Sequence, residues 1–306
     1  MSKIMVVGAF VVDMVAEMDK FPCAGETVIG KDMKTFLGGK GANQCVAVRR
    51  LGRDVGMIGC VGNDANGKAF LDLFQNEGID VSNIKVTDNS ITGVAQIQID
   101  NQGQNRICVI PCANHFYTLE DINSFENAIK DASIIIFQLE MRLDFTFEAI
   151  KAAKRANKTI ILNPAPAATL PDDILASIDY LTPNETELAL LSGIETDNID
   201  GITTASKKLL RKGVKNVVVT LGSKGSLIAN SEGVFTVSGY KVKAIDTVAA
   251  GDSFNGALAV QLLKNQSLIQ AVKYANAMGA LTVTKKGAIP SLHTYKEVED
   301  FILKNS

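Results

Sequence analysis

Residues 246–257 read DTVAAGDSFNGA and join a strand-like run, residues 233–242, to a helix-like run, residues 251–264. Residues 249–251, at the junction, are all small, which allows a ligand to come close to the backbone. The first N–H groups of a helix are unpaired and carry the positive end of its dipole, so they suit an anion. Asp252 falls in that first turn, and the stretch therefore predicts a carboxylate beside an anion site.

A carboxylate beside an anion site is the arrangement needed for phosphoryl transfer to a hydroxyl. Asp252 can accept the hydroxyl proton, while the N–H groups stabilise charge on the transferring phosphoryl group. The alternative interpretation is an ordinary aspartate near a helix start, stabilised by the helix dipole. The stretch alone does not decide between the two, so the rest of the chain is needed.

The composition is that of a globular α/β protein. The chain has 306 residues, 46% of them hydrophobic and 21% charged, enough for one large α/β domain or two smaller units. The net charge of −2 predicts no binding to nucleic acid or to an anionic membrane surface. No apolar run approaches the roughly 18 residues of a membrane span. The first residues, MSKIMVVG, show no export signal.

The cysteines and histidines restrict the chemistry further. The five cysteines form no C-x-x-C pair, and their odd number indicates reduced thiols and a cytoplasmic location. With only two histidines, a His-based triad or a multi-His metal site is improbable.

Short apolar runs alternate with helix-like segments along most of the chain. The runs include residues 4–10, 134–137, 159–162 and 217–220, and each is followed by polar residues or glycines. This alternation predicts a mostly parallel sheet flanked by helices, with its ligand site at the carboxyl ends of the strands. The residues expected at this edge are Asp13, Glu140, Asn163, Asn184, Glu187, Gly222 and Asp252. Asp13 is expected directly after the first strand, where the alternative is a turn aspartate that caps the backbone.

Residues 92–110 have a different pattern. Apolar and polar residues alternate on both sides of a turn at residues 101–104, which predicts an antiparallel hairpin. With the strand-like residues 26–36, the hairpin could form a small separate sheet. Such a sheet over the strand-end pocket would be a lid or a dimer surface.

Three shorter patterns allow two interpretations each. Residues 62–69 have P-loop spacing, but Ala69 replaces the Ser or Thr that would hold Mg²⁺, so we reject a P-loop. Asn184 and Glu187, three residues apart at a helix start, could hold Mg²⁺ through waters or could form an N-cap. Residues 222–225, G-S-K-G, could approach a nucleotide or form a plain turn.

Two motifs carry a resemblance to a known family over nearly the whole chain. They are GGKGANQ at residues 38–44 and DTVAAGDSFNG at residues 246–256, with NPAP at 163–166, NETE at 184–187 and KKGA at 285–288 in the same order. The sequence resembles the PfkB-type family of sugar and nucleoside kinases. The resemblance implies one ribokinase-like α/β domain over residues 1–306. Its central sheet would be mostly parallel and flanked by helices, with a small β-sheet lid from about residues 14–38 and 92–112.

The resemblance also implies an activity and its residues. ATP would phosphorylate the 5-hydroxyl of D-ribose, with Asp252 as general base and residues 249–252 as anion hole. The sugar-binding positions would be Asp13, Gly39, Lys40, Asn43, Glu140 and Asp252. The nucleotide-binding positions would be Asn184, Thr220, Gly222, Ser223, Gly225, Gly251 and Asn276. Glu187 would be linked to Mg²⁺, and an activating K⁺ would be held by Asp246, Val248, Thr282, Lys285, Gly287 and Ser291. A homodimer through the lid sheets is also implied.

The chain departs from the family pattern at two positions. Val11 stands where a polar residue is usual, which leaves open a kinase of the same fold for deoxyribose, another sugar or a nucleoside. Cys112 stands where glycine is usual. A non-catalytic sugar-binding protein is a further alternative, but Asp252, the predicted base, argues against it. A nucleotide-dependent dehydrogenase is disfavoured because no G-x-G-x-x-G follows the first strand.

Overall fold

Two separate β-sheets make up the strand structure of this protein. A computed structural model describes residues 3–305. The strands are β1 (Lys3–Val7), β2 (Val11–Glu17), β3 (Asp32–Gly38), β4 (Val55–Gly62), β5 (Ile84–Thr87), β6 (Gly93–Ile99), β7 (Asn105–Ile110), β8 (Ala132–Phe137), β9 (Thr159–Leu162), β10 (Tyr180–Leu181), β11 (Asn216–Thr220), β12 (Gly225–Asn230) and β13 (Gly233–Ser238). The larger sheet has the order β13-β12-β11-β10-β9-β8-β1-β4-β5, and the smaller sheet has the order β3-β2-β6-β7.

Helices cover both faces of the larger sheet. They are α1 (Lys40–Arg50), α2 (Ala65–Glu77), α3 (Glu126–Asp131), α4 (Leu143–Arg155), α5 (Asp172–Leu175), α6 (Glu185–Ser192), α7 (Ile199–Arg211), α8 (Ala250–Leu263), α9 (Leu268–Thr282) and α10 (Tyr295–Lys304). Along β1, Ile4 and Val6 face one core and Met5 and Val7 face the other. This explains the continuous apolar run, because a strand covered on both faces needs no polar alternation.

The larger sheet is mostly parallel, as the alternation of strands and helices predicted. Only the β11–β12 and β12–β13 pairs in it are antiparallel within the described part of the chain. Prediction from the sequence left residues 222–225 as either an approach to a nucleotide or a plain turn and missed β12, which begins at Gly225. It also extended the β13 run to residue 242, whereas β13 ends at Ser238. Residues 239–249 instead run as irregular chain to the start of α8.

The predicted hairpin is confirmed: β6 and β7 pair antiparallel, with Val94 opposite Ile110. Two details of the small sheet were predicted incorrectly. The strand expected at residues 26–36 begins only at Asp32. Asp13 was expected after the first strand, but it lies inside β2, paired with Phe36 and Ala95.

The error at Asp13 has a physical cause. The chain leaves the larger sheet at Val7 and enters the smaller one at Val11, and the residues on both sides of this passage are buried and apolar. The side chain of Asn114 replaces the strand partner at Phe10, since its Oδ1 accepts from the Phe10 N–H at 2.8 Å and its Nδ2 donates to the Phe10 carbonyl at 2.7 Å. An apolar run cannot reveal such a change of sheet, because both sheets bury it.

The rejected P-loop is an ordinary helix start. Asp64 caps α2 by accepting from the Gly67 N–H at 2.7 Å, and it also accepts from the Thr92 N–H at 2.7 Å. The Gly62 N–H donates to the Thr92 hydroxyl. These protein contacts use donors that a P-loop would offer to phosphate.

Across residues 3–305, none of the helices combines the length and the apolar character that crossing a bilayer requires.

Candidate active site

The carboxyl ends of the central strands meet the first turns of α1 and α8, and most of the predicted site residues lie there. Glu140 follows β8, Asn163 follows β9 and Asn184 follows β10. Lys40 and Asn43 lie in the first turn of α1, and Asp252 lies in the first turn of α8. Asp13 reaches the same region from the small sheet, since its carboxylate interacts electrostatically with Glu140, Lys40 and Asp252.

Asp252 is buried and held by two side-chain amides. Only 8% of the residue is exposed. The Asn43 Nδ2 donates to its Oδ2 at 2.8 Å, and the Gln44 Nε2 donates to its Oδ1 at 3.3 Å. Burial raises the pKa of Asp252 to about 6, although Lys40 and the amide from Asn43 oppose this rise. At neutral pH it is therefore an ionised carboxylate with more than usual proton affinity, which suits a general base.

The start of α8 has the helix-start geometry on which the anion-site prediction depends. Ala249 takes the left-handed conformation, with φ of 61°. Its carbonyl accepts a hydrogen bond from the Ser253 N–H, the first hydrogen bond of the helix. The N–H groups of Gly251 and Asp252 belong to the turn in which helical N–H groups have no partner within the helix. A Cβ on Gly251 would meet no atom within 4 Å, so there is open space in front of this turn.

Around Lys40 and Asp252 the site contains oxygen atoms that have no hydrogen-bond partner among the described residues. Within residues 3–305 the Asp13 carboxylate makes no side-chain hydrogen bond, and the buried Oδ1 of Asn43 has none either. Burial, followed by repulsion from Glu140, raises the pKa of Asp13 to about 6. Both oxygens can accept hydrogen bonds from hydroxyl groups, which is the chemistry of a sugar.

Lys40 and Glu140 are paired in the same region of the site. The Lys40 Nζ donates to Glu140 Oε1 and the Lys40 backbone N–H donates to Glu140 Oε2, both at 2.8 Å. Glu140 thus fixes the start of α1. At Gly39, φ is 88° and a Cβ would lie 2.6 Å from the Val11 nitrogen, so only glycine fits here. The backbone at the start of α1 can therefore pack directly against the backbone at the start of β2.

The predicted nucleotide residues line two adjoining cavities. The larger, of about 450 Å³, is lined by Thr220, Gly222, Ser223, Gly225, Gly251 and Asn276, among others. The smaller, of about 200 Å³, is lined by Lys40, Asn184, Glu187, Gly251 and Asp252, among others. Gly251 borders both cavities, so the anion site lies between them. Asp13, Gly39, Asn43 and Glu140 line neither cavity and adjoin the smaller one through Lys40 and Asp252.

Asn184 and Glu187 form a capping box at the start of α6. The Asn184 Oδ1 accepts from the Glu187 N–H at 2.8 Å, and the Glu187 Oε2 accepts from the Asn184 N–H at 2.9 Å. The N-cap interpretation is therefore correct. The capping box does not involve Glu187 Oε1, and Glu187 also borders the smaller cavity. The donor set, a carboxylate oxygen beside a polar cavity, fits Mg²⁺ held largely through water.

Two loops meet at the residues predicted to hold K⁺. The Asp246 Oδ2 accepts from the Gly287 N–H at 2.9 Å, and its Oδ1 accepts from the Val248 N–H at 3.1 Å. The Lys285 N–H donates to the Thr282 carbonyl. In the described part of the chain no three acidic, histidine or cysteine side chains cluster as a metal site. The Asp246 contacts thus bring the two loops that carry the predicted K⁺ residues together.

The hydroxyls of Thr282 and Ser291, two further K⁺ candidates, are both hydrogen-bonded, and the Thr282 Oγ1 also lies 2.9 Å from the Ser253 Oγ in α8. Thr282 donates to the Met278 carbonyl and Ser291 donates to the Ala288 carbonyl.

The sequence interpretation missed a buried polar network behind Asp252. Gln44 and Gln138 are 0% and 1% exposed, and the Gln138 Nε2 donates to the Gln44 Oε1 at 2.5 Å. The Thr182 hydroxyl donates to Asn255, whose Nδ2 donates to the Gly251 carbonyl. Gln44 and Asn255 lie within the two quoted motifs, so the only available signal was a polar residue inside a motif.

The two departures from the family pattern have distinct structural settings. Val11 is 4% exposed and lies two residues before Asp13 in β2, so both side chains are on one face of the small sheet. Cys112 has φ of 48°, in the left-handed region that favours glycine. Cysteine at this position carries backbone strain of the order of 1 kcal/mol.

Comparison with known proteins gives consistent matches. Residues 1–295 match the family described as pfkB family carbohydrate kinase. A ribokinase of Haemophilus influenzae is 37% identical over 297 residues, 97% of each chain. A deoxyribokinase of Salmonella typhi is 33% identical over 303 residues, 99% of each chain. The structure of Arabidopsis thaliana ribokinase complexed with ribose and ATP is similar with a TM-score of 0.92 and 32% identity, over 99% of both chains.

Proposed function

The chain belongs to the pfkB family of carbohydrate kinases, and we propose that it transfers the γ-phosphate of ATP to the 5-hydroxyl of D-ribose. The observation that carries the proposal is the position of Asp252. It is a buried carboxylate in the first turn of α8, between unpartnered sugar-side oxygens and the cavities beside Gly251. A kinase needs its base at this junction, since the hydroxyl must lose a proton as the phosphoryl group arrives.

The proposed reaction uses the residues of this chain as follows. Asp13 and Asn43 accept hydrogen bonds from sugar hydroxyls, which orients the 5-hydroxyl toward Asp252. Asp252 takes the hydroxyl proton as the oxygen attacks the γ-phosphorus and the bond to ADP breaks. The N–H groups at the start of α8 stabilise the charge on the transferring phosphoryl group. Nucleotide binding is assigned to the larger cavity, where glycines 222 and 225 leave room for ATP.

Two cations complete the proposal. Glu187 would hold Mg²⁺ through water, and the ion would supply positive charge next to the ATP phosphates. The loops joined by Asp246 would hold K⁺, which would order the approach to the anion site.

Deoxyribose is the second candidate substrate. Val11 supports it, because this apolar side chain shares a strand face with Asp13 and cannot hydrogen-bond a sugar hydroxyl. A site with one polar contact fewer would discriminate weakly against a sugar with one hydroxyl fewer.

A substrate panel tests both candidates. ADP release from ATP should show the highest kcat/KM with ribose among free sugars and nucleosides, and very slow release without sugar. A tenfold preference for deoxyribose would instead select the second candidate. Absence of turnover with every sugar would favour a binding protein on the kinase scaffold.

Potassium dependence is the second prediction. Turnover should rise severalfold when sodium is replaced by potassium at constant ionic strength. In the Asp246→Ala variant the half-maximal potassium concentration should increase, because Val248 and Gly287 lose the carboxylate that ties the two loops together. Equal rates in both salts would remove K⁺ from the proposal.

The small sheet is proposed as a lid over the sugar and as the surface of a homodimer. Support comes from β7, an edge strand whose residues are all exposed, including Ile107 and Val109 on one face. Exposed apolar residues on a sheet edge favour pairing with another copy. Sedimentation should give a dimer for the wild type and a monomer for Ile107→Lys. A monomeric wild type would contradict the dimer.

A cytoplasmic location is also proposed. All five cysteines are free thiols, which supports a reducing compartment. Cell fractionation tests the location, and recovery of the protein outside the cytoplasm would contradict it.

A further inference from the structure

A series of buried amide side chains extends from Asp252 to the end of β8. Gln44 lies in α1, directly after Asn43, and its Nε2 donates to Asp252 Oδ1 at 3.3 Å and to Asn163 Oδ1 at 3.2 Å. Gln138 follows β8, and its Nε2 donates to the Gln44 Oε1 at 2.5 Å. All three amide side chains are more than nine-tenths buried.

We infer that Gln44 is a positioning residue for Asp252 and that Gln138 acts through Gln44. The inference rests on the proposed role of Asp252 as the base. Asn43 and Gln44 each hold one of its two carboxylate oxygens. The plane of the carboxylate, and with it the lone pair available to a hydroxyl proton, is thereby fixed from one helix.

The orientation of each amide follows from the negative charge of Asp252, which lies at one end of the amide series. An ionised carboxylate only accepts hydrogen bonds, so Gln44 must present its Nε2 to Asp252. Its Oε1 then needs a donor, which Gln138 provides. The outer end is left incomplete, because the buried Oε1 of Gln138 has no partner among residues 3–305. Leaving a buried oxygen unpaired costs about 1–3 kcal/mol. The amides accept this cost at Gln138 while pairing every contact toward Asp252, which indicates that the series is organised toward the carboxylate.

The backbone makes room for this arrangement. A Cβ on Gly8 would lie 2.1 Å from the Gln138 Oε1 and 2.8 Å from the Gly41 Cα. Glycine at position 8 therefore allows both Gln138 and the first turn of α1 to approach the end of β1. The amide chain is thus held by β1, β8 and α1, all of them parts of the core.

Loss of the Gln44 donor should affect the base in two ways. The carboxylate would be held at one oxygen only, by Asn43, so its plane would be less well fixed against the hydroxyl. The ionised form would also lose one hydrogen bond, so it would take up a proton at higher pH. Neither effect requires any change in how the sugar or ATP binds.

The test is steady-state kinetics of Gln44→Met across a pH series. We expect kcat to fall about 10-fold, as for loss of one hydrogen bond to a charged group. The acid limb, the decrease of kcat at low pH, should move up by about one pH unit. The KM values for sugar and ATP should change by less than about 3-fold, since binding is retained. Gln138→Met should change kcat and the acid limb in the same direction, but less.

A double variant provides the sharper criterion. Because Gln138 acts through Gln44, adding Gln138→Met to Gln44→Met should cause no further loss. Gln261→Met is the matched control, since Gln261 is another buried glutamine, on the same helix as Asp252 but in its last turn. The control should keep the wild-type kcat and acid limb.

Three outcomes would overturn the inference: an unmoved acid limb in Gln44→Met, additive losses in the double variant, or a loss that appears only in KM. If Gln44→Met does not fold, Gln138→Met alone decides, through the same pH series. An Asp252→Ala variant with full turnover would instead overturn the proposed function. An inactive Asp252→Ala beside an unaffected Gln44→Met would overturn the positioning role alone.

Discussion

The Asp252→Ala variant is expected to lose about 10²–10⁴-fold in turnover, the usual contribution of a general base. Ribose should still bind, because Asp13, Lys40 and Asn43 stay in place. The loss should therefore appear in kcat, measured by ADP release, while ribose affinity measured by calorimetry changes little. Unchanged turnover would contradict the assignment of Asp252 as the base.

The pH dependence of turnover provides a second test of Asp252 as the base. Burial raises the pKa of Asp252 to about 6, and the base must be unprotonated to accept the hydroxyl proton. Wild-type turnover should therefore fall as pH decreases through about 6. The residual activity of Asp252→Ala should lack this limb.

Asp200→Ala is the matched control for Asp252→Ala. Asp200 also lies in the first turn of a helix, α7, but it is exposed and lines neither of the two cavities. If Asp252 were only an aspartate near a helix start, both variants would behave alike. We expect Asp200→Ala to retain wild-type turnover.

The second large effect is expected at Asp13, where one substitution should weaken function and increase stability. In Asp13→Asn the charged acceptor for sugar hydroxyls is lost, so kcat/KM for ribose should fall about 100-fold, as for two hydrogen bonds to a charged group. The KM for ATP should remain near the wild-type value, because Asp13 lines neither nucleotide cavity.

The stability gain follows from the raised pKa of Asp13, about 6 in the folded protein. The folded state binds this proton more tightly than the unfolded chain does. The stabilisation from Asp13 is thus fully present below about pH 4 and is lost as pH rises through about 6. Asparagine does not titrate, so it avoids this loss. The free energy of unfolding of Asp13→Asn should exceed that of the wild type by about 2 kcal/mol at neutral pH.

Denaturant unfolding at several pH values measures this gain, which should shrink toward low pH. Asp32→Asn is the control on the neighbouring strand β3, where the carboxylate is exposed. That control should show neither a stability gain nor a loss of ribose affinity. If Asp13→Asn is less stable than the wild type at neutral pH, the ionised carboxylate has a stabilising partner in the folded protein, and the expected gain is contradicted.

Much of the fold could be predicted from local pattern. The apolar runs at residues 159–162 and 217–220 are strands, the hairpin of β6 and β7 is present, and the ribokinase-like fold is confirmed by the Arabidopsis structure. These predictions succeeded because burial on one face leaves an apolar–polar alternation in the sequence, and burial on both faces leaves a continuous apolar run. The strands β5 and β12 were missed; β5 has only four residues, and β12 begins within the glycine-containing stretch that was interpreted as a turn or a nucleotide contact.

Part of the candidate site was also predictable. The motif at residues 246–257 indicated a carboxylate in the first turn of a helix, and Asp252 lies there. The position of Asp13 was predicted incorrectly, because the passage between the two sheets is as apolar as the strands it joins. Gln138 carried no local sign of its role and Gln44 only its place in a motif, since nothing in a sequence distinguishes a buried glutamine from an exposed one.

The sequence by itself determined the α/β class, the two motifs and the chemical type of each candidate group. Only the tertiary structure decided which polar atoms are left for a ligand. Asn184 and Glu187 bond to each other, whereas the Asp13 carboxylate makes no side-chain hydrogen bond within residues 3–305. Asn43 and Asp252 are 209 residues apart in the chain and are joined by a hydrogen bond. Such a bond depends on how α1 and α8 pack against the sheet, which is a property of the assembled core and of no local stretch.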